Sequence, residues 1–219
     1  MTVSKRMALK KDKTKTSSKI TVHQVRIVGG IWKRTPLAVA DVPGLRPTPD
    51  RVRETLFNWL THLKGNTFSR MRCLDLFAGT GALSFEAASR GFSQVVTVEE
   101  SRTAYSHLEA VKKKLNAEQV KIVHADAFAF ADRLIEANER FDVIFLDPPF
   151  QENFLPVILP MCVKLLSDGG LIYVESNEAV SDEKLDQLLP EGQKCHICRE
   201  NKAGQVYYHL LEMKASGQS

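Results

Sequence analysis

The stretch that most constrains the fold is residues 73–87, CLDLFAGTGALSFEA. It reads as a short apolar strand that contains Asp75, a tight turn with Gly79 and Gly81, and the start of a helix. A strand, a glycine turn and a helix in this order open the nucleotide-binding α/β sheets. Because glycine carries no Cβ, the backbone at such a turn can pass close to a ligand. An ordinary strand–helix turn in an enzyme of another kind is the alternative.

A second apolar strand, residues 141–146, runs directly into Asp147, Pro148, Pro149 and Phe150. Neither proline can continue a helix or donate a hydrogen bond to a sheet. The motif therefore predicts a rigid, extended loop at the carboxyl end of the strand, where α/β sheets bind their ligands. A carboxylate, backbone carbonyls and an aromatic ring held together there suit the exocyclic amine of a flat base. A strand terminator with a core phenylalanine is the alternative.

The chain from residue 72 onward alternates between strand and helix patterns. Strands are predicted at 72–77, 94–99, 120–124, 141–146, 170–175, 194–200 and 205–212, and helices at 81–90, 102–116, 126–138, 152–166 and 181–189. Strands separated by helices indicate a parallel sheet with helices on both faces. The last two strands are close enough to form a hairpin, so one of them runs antiparallel to the sheet. The predicted fold class is α/β, with a Rossmann-like seven-stranded sheet.

The N-terminal part of the chain is strongly basic. Residues 1–53 carry 13 Lys and Arg against 3 acidic side chains, a net charge of +10, whereas the remainder carries −6. This asymmetry predicts a polyanionic partner that meets the N-terminal part. A tail that only solubilises the chain is the alternative. Residues 1–19 have too little apolar surface to fold alone, so we expect a disordered basic tail.

Residues 20–66 are expected to form a small β-hairpin followed by a helix. Gly29 and Gly30 lie between two apolar runs, which is a hairpin signal. Thr48 is a candidate N-cap for the helix, whose apolar residues repeat at helical spacing up to Gly65.

Several side chains of this segment are candidates for contact with phosphate. They are Lys33, Arg34, Arg46, Thr48, Arg51 and Arg53. Three of the arginines lie at or near the start of the helix, where cations oppose the helix dipole. Because local stability explains them badly, an anionic ligand is the better explanation.

Two further acids follow strands at the same edge of the predicted sheet. Glu99 ends the second strand, 20 positions after Gly79, where an acid can bind ribose hydroxyls in a doubly wound nucleotide site. A solvated acid at a strand end is the alternative. Asp126 follows the third strand, and it either contacts an adenine amine or caps the next helix.

The composition excludes several classes of protein. We find no apolar run that approaches a membrane span and no signal peptide before the core, so we expect no membrane association. Four cysteines in 219 residues are too few for a disulfide scaffold, which favours the cytoplasm. Cys195 and Cys198 would point to opposite faces of a strand. Since a structural zinc site needs four ligands, we expect no metal.

These motifs together carry a resemblance to a known family. DLFAGTGALSFEA, VEE, ADAF and DPPF are similar to motifs of the class I S-adenosylmethionine-dependent methyltransferases. RIVGGIWK, RPTPDRVRETLFNWL, the DPPF loop and KAGQVYYHLLE resemble the bacterial 16S rRNA (guanine-N2)-methyltransferases, over residues 24–213. The resemblance implies methyl transfer from S-adenosylmethionine to the N2 amine of a guanine in 16S rRNA. It also implies that residues 20–66 contact RNA and that 67–219 form the methyltransferase domain.

The resemblance implies roles for individual residues as well. The cofactor contacts fall to Asp75, Phe77, Gly79, Gly81, Glu99, Asp126 and Ala127. The guanine is received by Asp147, Pro148, Pro149 and Phe150, with the extruded base stacked on the Phe150 ring. The implied substrate is 16S rRNA in a partially assembled small ribosomal subunit, and we expect the protein to act as a monomer.

Three alternatives to this function differ in class. A nicotinamide oxidoreductase is disfavoured because Ser84 stands where a GxGxxG fingerprint starting at Gly79 needs its third glycine. A methyltransferase that acts on an adenine N6 or on a DNA base amine is a closer alternative, since DPPF-like loops serve several amines. A non-catalytic RNA-binding assembly factor is disfavoured by the intact Asp75, Glu99 and Asp147.

Overall fold

The computed structural model describes residues 25–37, 48–65, 67–149 and 154–213. Its N-terminal elements are two short strands and a helix: β1 (Val25–Arg26), β2 (Pro36–Leu37) and α1 (Asp50–Lys64). The alternating part consists of β3 (Arg72–Asp75), α2 (Ala82–Ser89), β4 (Gln94–Glu99), α3 (Arg102–Leu115), β5 (Val120–His124), α4 (Ala127–Glu136), β6 (Phe141–Leu146), α5 (Leu155–Leu165), β7 (Leu166–Ser176), α6 (Asp182–Leu188), β8 (Cys195–Ala203) and β9 (Val206–Met213). This order of elements confirms the predicted alternation.

Seven strands form one sheet in the order β5-β4-β3-β6-β7-β9-β8. The first five are parallel to one another, and β9 runs antiparallel to both β7 and β8. The predicted α/β class and the antiparallel last strand are therefore confirmed. The chain order reverses at β3, whose neighbours are β4 and β6. Open α/β sheets bind ligands outside the carboxyl ends of their strands at such a switch point.

The sheet separates two hydrophobic clusters, because successive side chains of a strand point to opposite faces. In β6, Val143 and Phe145 enter one cluster, whereas Ile144 and Leu146 enter the other. The first cluster is covered by α1, α2 and α3, and the second by α4, α5 and α6. Helices on both faces leave the strand ends as the accessible edges of the sheet.

Helix α1 belongs to the same core as the sheet. Its buried Phe57 meets Phe145 of β6 edge to face, with ring centroids 6.0 Å apart. Val25 and Ile27 from the N-terminal segment lie in this cluster too. The expected division near residue 66 thus does not separate two cores, and it remains a hypothesis about which part of the chain contacts RNA.

The hairpin turn differs from the prediction. The loop is longer than a two-residue Gly29-Gly30 turn, because Ile27 N–H still donates to the Thr35 carbonyl across it at 3.0 Å. The two glycines instead allow close approach to α2. A Cβ on Gly30 would lie 1.9 Å from the backbone oxygen of Ser89, and Gly30 also has a φ of 74°.

The ends of several elements also differ from the prediction. Helix α1 has Pro49 as its N-cap residue and no side-chain cap, so the prediction that Thr48 caps the helix is wrong. Helix α5 starts at Leu155 rather than at residue 152. Strand β7 begins earlier than residue 170, because Leu166 pairs with Phe141 before the register shifts.

The cysteines of β8 point to opposite faces, as predicted. Cys195 is buried in the second cluster, whereas Cys198 packs against the first. Among the described residues, no group of His, Cys, Asp and Glu is arranged to hold a metal ion. No helix in that part of the chain combines the length and the apolar character needed to cross a membrane.

Candidate active site

Three of the predicted acids meet at the switch point of the sheet. Asp75 ends β3, Glu99 ends β4, and Asp147 directly follows β6. Because these neighbouring strands are parallel, their carboxyl ends lie at the same edge. The register places Asp75 opposite Thr97 of β4 and Phe145 of β6. Residues far apart in the sequence thus form one acidic edge.

Asp75 is buried, with 1% of its surface exposed. Its Oδ2 accepts a hydrogen bond of 2.6 Å from the Ser84 hydroxyl, which in turn accepts one of 2.9 Å from Thr97. Its Oδ1 is also buried and has no hydrogen-bond partner among the described residues. Burial raises the pKa of Asp75 to about 7, and the Ser84 hydrogen bond opposes this shift. A buried carboxylate oxygen without a partner is costly, so this atom suits a cationic ligand group.

The glycine turn is tied to the end of β4 by Glu99. One carboxylate oxygen accepts from Gly79 N–H at 2.8 Å, and the other accepts from Ser101 N–H at 2.8 Å. Burial raises the pKa of Glu99, and these two backbone donors oppose the shift. Gly79 and Gly81 have φ angles of 52° and 72°, a region that favours glycine. A Cβ on Gly81 would also lie 2.5 Å from Leu108.

Asp126 and Ala127 begin α4 beside this edge. Asp126 is the N-cap residue, and its Oδ1 accepts from Ala129 N–H at 2.8 Å. Of the two roles left open by the sequence, the helix cap is therefore confirmed, and the adenine contact stays a prediction. Ala127 is buried in the second cluster.

Phe77 lies in an aromatic group that the sequence analysis did not find. It stacks on Phe154, with ring centroids 5.8 Å apart and planes 16° apart, and meets the Phe128 ring at 6.4 Å. Phe128 immediately follows the predicted cofactor residues Asp126 and Ala127, so its place near the site could have been predicted from the sequence. Phe154 is far from Phe77 in the sequence. That the two rings are in contact could therefore be seen only in the tertiary structure.

Asp147 and the two prolines extend beyond β6. The Thr48 hydroxyl donates to Asp147 Oδ2 at 3.2 Å. Thr48 is only 5% exposed, and its hydroxyl is bonded to this carboxylate. It is therefore not available for the phosphate contact that was predicted. Pro148 is half-buried and Pro149 is exposed. Phe150 lies outside the described residues.

A fourth acid, Glu175, adjoins Asp147 and was missed by the sequence analysis. Leu146 of β6 pairs in register with Val174 of β7, so Asp147 and Glu175 each come one residue later on neighbouring parallel strands. The Tyr173 hydroxyl donates to Glu175 Oε1 at 2.8 Å. Burial, followed by the charge of Glu175, raises the pKa of Asp147 well above its usual range. The signal was available, since Glu175 is an acid near the end of an apolar strand like the other three.

The remaining candidates for phosphate contact have different environments. Lys33 and Arg34 are exposed in the hairpin loop, and Arg51 is exposed in the first turn of α1. Arg46 lies outside the described residues. The exposed cations stay candidates for RNA contact.

The structure contradicts the prediction for Arg53, because its guanidinium is fully buried. It donates to Glu86 at 3.1 Å, to Asp50 at 2.6 Å and to the backbone oxygen of Arg26 at 2.8 Å. Burial lowers its pKa, and the charges of Glu86 and Asp50 oppose the shift. The prediction that Arg53 contacts RNA is therefore wrong, since the side chain joins α1 to α2. Glu86 of α2 thus explains why a cation, Arg53, lies in the first turn of α1 despite the helix dipole.

Comparisons with known proteins agree with this arrangement. The family model described as conserved hypothetical protein 95 matches residues 25–212. The chain is 39% identical to the ribosomal RNA small subunit methyltransferase D of Escherichia coli (strain K12), over 90% of this chain and 93% of the relative. It is 34% identical to the protein of the same name from Haemophilus influenzae, over 86% of this chain and 94% of the relative.

The solved structures give the same result. The structure of Escherichia coli yhhF superposes with a TM-score of 0.68 and 36% identity, covering 88% of this chain and 99% of that one. Identity at this level over nearly the whole length, together with the match of the family model, establishes common descent. The chain belongs to the family of the ribosomal RNA small subunit methyltransferase D proteins, as its motifs predict.

Proposed function

We propose that this protein transfers a methyl group from S-adenosylmethionine to the N2 amine of a guanine in 16S rRNA. The observation that carries the proposal is the grouping of Asp75, Glu99 and Asp147 at one switch point, in a chain of this family. The first two acids suit the methionine and the ribose of the methyl donor, and the third suits the acceptor amine. Each role rests on a different contact.

The donor side of the site fits the groups of S-adenosylmethionine. The Oδ1 atom of Asp75, which has no partner among the described residues, accepts a hydrogen bond from the methionine ammonium. This bond removes the cost of a buried oxygen without a partner. Each oxygen of Glu99 already accepts one backbone N–H and keeps a lone pair for a ribose hydroxyl. Asp126, Ala127 and Phe77 complete this side at the adenine.

The acceptor side consists of the DPPF loop. The donor supplies an already activated methyl group, so the protein mainly aligns the amine with it. Guanine N2 is a weak nucleophile because its lone pair is delocalised into the ring. Asp147 and the Pro148 carbonyl accept its two N–H bonds and turn the lone pair toward the methyl group, while Pro149 stiffens the loop. Phe150 stacks on the extruded base.

The RNA is held by cations outside the donor and acceptor sides of the site. Lys33, Arg34, Arg46 and Arg51 bind phosphates, which agrees with the basic N-terminal part of the chain. The substrate is 16S rRNA in a partially assembled small subunit, and the enzyme acts as a monomer in the cytoplasm. Thr48 and Arg53 have no part in phosphate binding.

The proposal is tested by mapping methylated nucleosides in ribosomal RNA from a strain that lacks the gene. We expect one N2-methylguanosine of 16S rRNA to disappear and to return when the wild-type gene is restored. A gene that encodes Asp147→Ala should not restore it. Loss of an N6-methyladenosine instead, or unchanged ribosomal RNA, would contradict the proposal and favour another base amine or a non-catalytic role.

A further inference from the structure

Glu175 has no role in the function proposed above, although it is a buried acid beside the site. It is 4% exposed, and the β6–β7 register makes it the strand neighbour of Asp147. Two hydroxyls accompany the two carboxylates. Tyr173 donates to Glu175, and Thr48 donates to Asp147.

These neighbours leave excess negative charge at the site. Among the residues that the structure describes, no salt bridge reaches Asp147 or Glu175. The other titratable groups facing the pair are acidic or phenolic: Asp75, Tyr173 and Tyr208. Two adjacent carboxyl groups in such surroundings cannot both ionise readily, so the second proton is held more tightly.

Thr48 is the hydroxyl donor of Asp147, and its hydrogen bond is longer than the one that Glu175 accepts from Tyr173. Its hydroxyl donates to Asp147 Oδ2 at 3.2 Å, and it has only one proton to donate. A donated hydrogen bond stabilises a carboxylate and lowers its proton affinity. The charge of Glu175 and the hydroxyl of Thr48 therefore act on Asp147 in opposite directions.

We propose that Glu175 is a positioning residue that makes Asp147 the proton acceptor of the methyl-transfer reaction. The inference rests on the proposed function, because it takes Asp147 to contact the amine. As the amine nitrogen bonds the methyl carbon, the methyl–sulfur bond breaks and its electron pair stays on sulfur. The nitrogen then gives one proton to Asp147. Glu175 acts through its charge and does not contact the base.

The test compares two variants with opposite expected effects. Infrared titration of the protein without donor or RNA follows the protonated carboxyl band, and single-turnover rates are measured against pH with the RNA substrate. Glu175→Gln removes the neighbouring charge and should move the midpoint of both curves down by about one pH unit or more. Thr48→Val removes the donated hydrogen bond and should move both midpoints up.

Glu178→Gln is the matched control, because it makes the same change three positions along the chain on a side chain that is 77% exposed. It should leave both midpoints at their wild-type values. The inference is overturned if Glu175→Gln and Glu178→Gln give the same curves, or if both test variants shift the midpoints in one direction. This outcome is distinct from failure of the proposed function, in which the wild type would not methylate guanine N2 at all.

Discussion

At the scale of single residues, Asp75 combines burial with an unpartnered oxygen. Its pKa is raised to about 7, so much of the carboxyl is protonated below neutral pH in the free protein. An ammonium ligand binds the ionised form, and binding therefore releases a proton below pH 7. The affinity for S-adenosylmethionine should rise about fivefold between pH 6 and pH 7, as the ionised fraction grows. It should fall again above about pH 8, where an α-amino group loses its proton.

Calorimetry across this pH range measures the effect, with buffers of different ionisation enthalpy to count the released protons. Asp75→Asn serves as the comparison, since it keeps the shape of the side chain and removes the titration. We expect weaker binding and a flatter pH dependence in this variant. If the affinity of Asp75→Asn depends on pH as that of the wild type does, the released proton comes from another group.

Asp147 should affect the chemical step and not donor binding, because its proposed contact is to the amine. Asp147→Ala should lower the single-turnover rate about a hundredfold or more, with an affinity for S-adenosylmethionine within about threefold of wild type. Glu99→Ala should show the opposite pattern, since a charge-assisted hydrogen bond to the ribose is worth about 1.5–3 kcal/mol. Equal losses of donor affinity in both variants would contradict the division of the site into donor and acceptor sides.

At the scale of elements, α2 joins the hairpin loop to the glycine turn. Its Glu86 accepts hydrogen bonds from Val28 N–H and Gly29 N–H, each at 2.7 Å, as well as from Arg53 and Arg90. Both partners of the Arg53–Glu86 ion pair have no exposed side-chain surface. Glu86 therefore holds the exposed cations of the loop at a fixed distance from the cofactor side of the sheet.

Glu86→Gln should destabilise the fold strongly. The change leaves the buried Arg53 with the part-exposed Asp50 as its remaining counter-ion, and removal of one partner of a buried ion pair typically costs about 3–5 kcal/mol. Glu139→Gln is a suitable control, because its ion pair with Arg72 is partly exposed, with 33% and 39% of the side chains accessible. It should cost less than about 1 kcal/mol. Urea denaturation of the two variants measures both changes in the free energy of unfolding. Equal changes would show that the buried ion pair stabilises the fold no more than the partly exposed one.

The sequence predicted elements that depend on local patterns, and it failed where a partner lies far along the chain. The alternation of strands and helices and the acids Asp75, Glu99 and Asp147 follow from apolar runs and glycine turns. Arg53 looked like an RNA contact because its partner, Glu86, is 33 positions away on another helix. Thr48 looked like a helix cap because Asp147 is 99 positions away. Side-chain pairing between distant elements has no local signature in a single sequence.

At the scale of the whole molecule, positive charge is concentrated before residue 54, with a net charge of +10 against −6 for the remainder. Arg53 is part of that excess but is buried and paired. The exposed Lys33 and Arg51 are therefore better candidates for the RNA interface. Phosphate contacts release counterions, so each one adds a fixed amount to the salt dependence of binding.

Substitution of Lys33→Ala with Arg51→Ala should weaken RNA binding and reduce its log–log salt slope by about 1.4 to 1.8, the value for two phosphate contacts. Affinity for S-adenosylmethionine should not change. The matched control is Lys113→Ala with Lys114→Ala, which removes the same charge from exposed positions in the last turn of α3. Those lysines belong to α3, outside the basic N-terminal part of the chain. Filter binding over a salt series decides the matter, since equal slopes for the two double variants would mean that net charge, and not this surface, attracts the RNA.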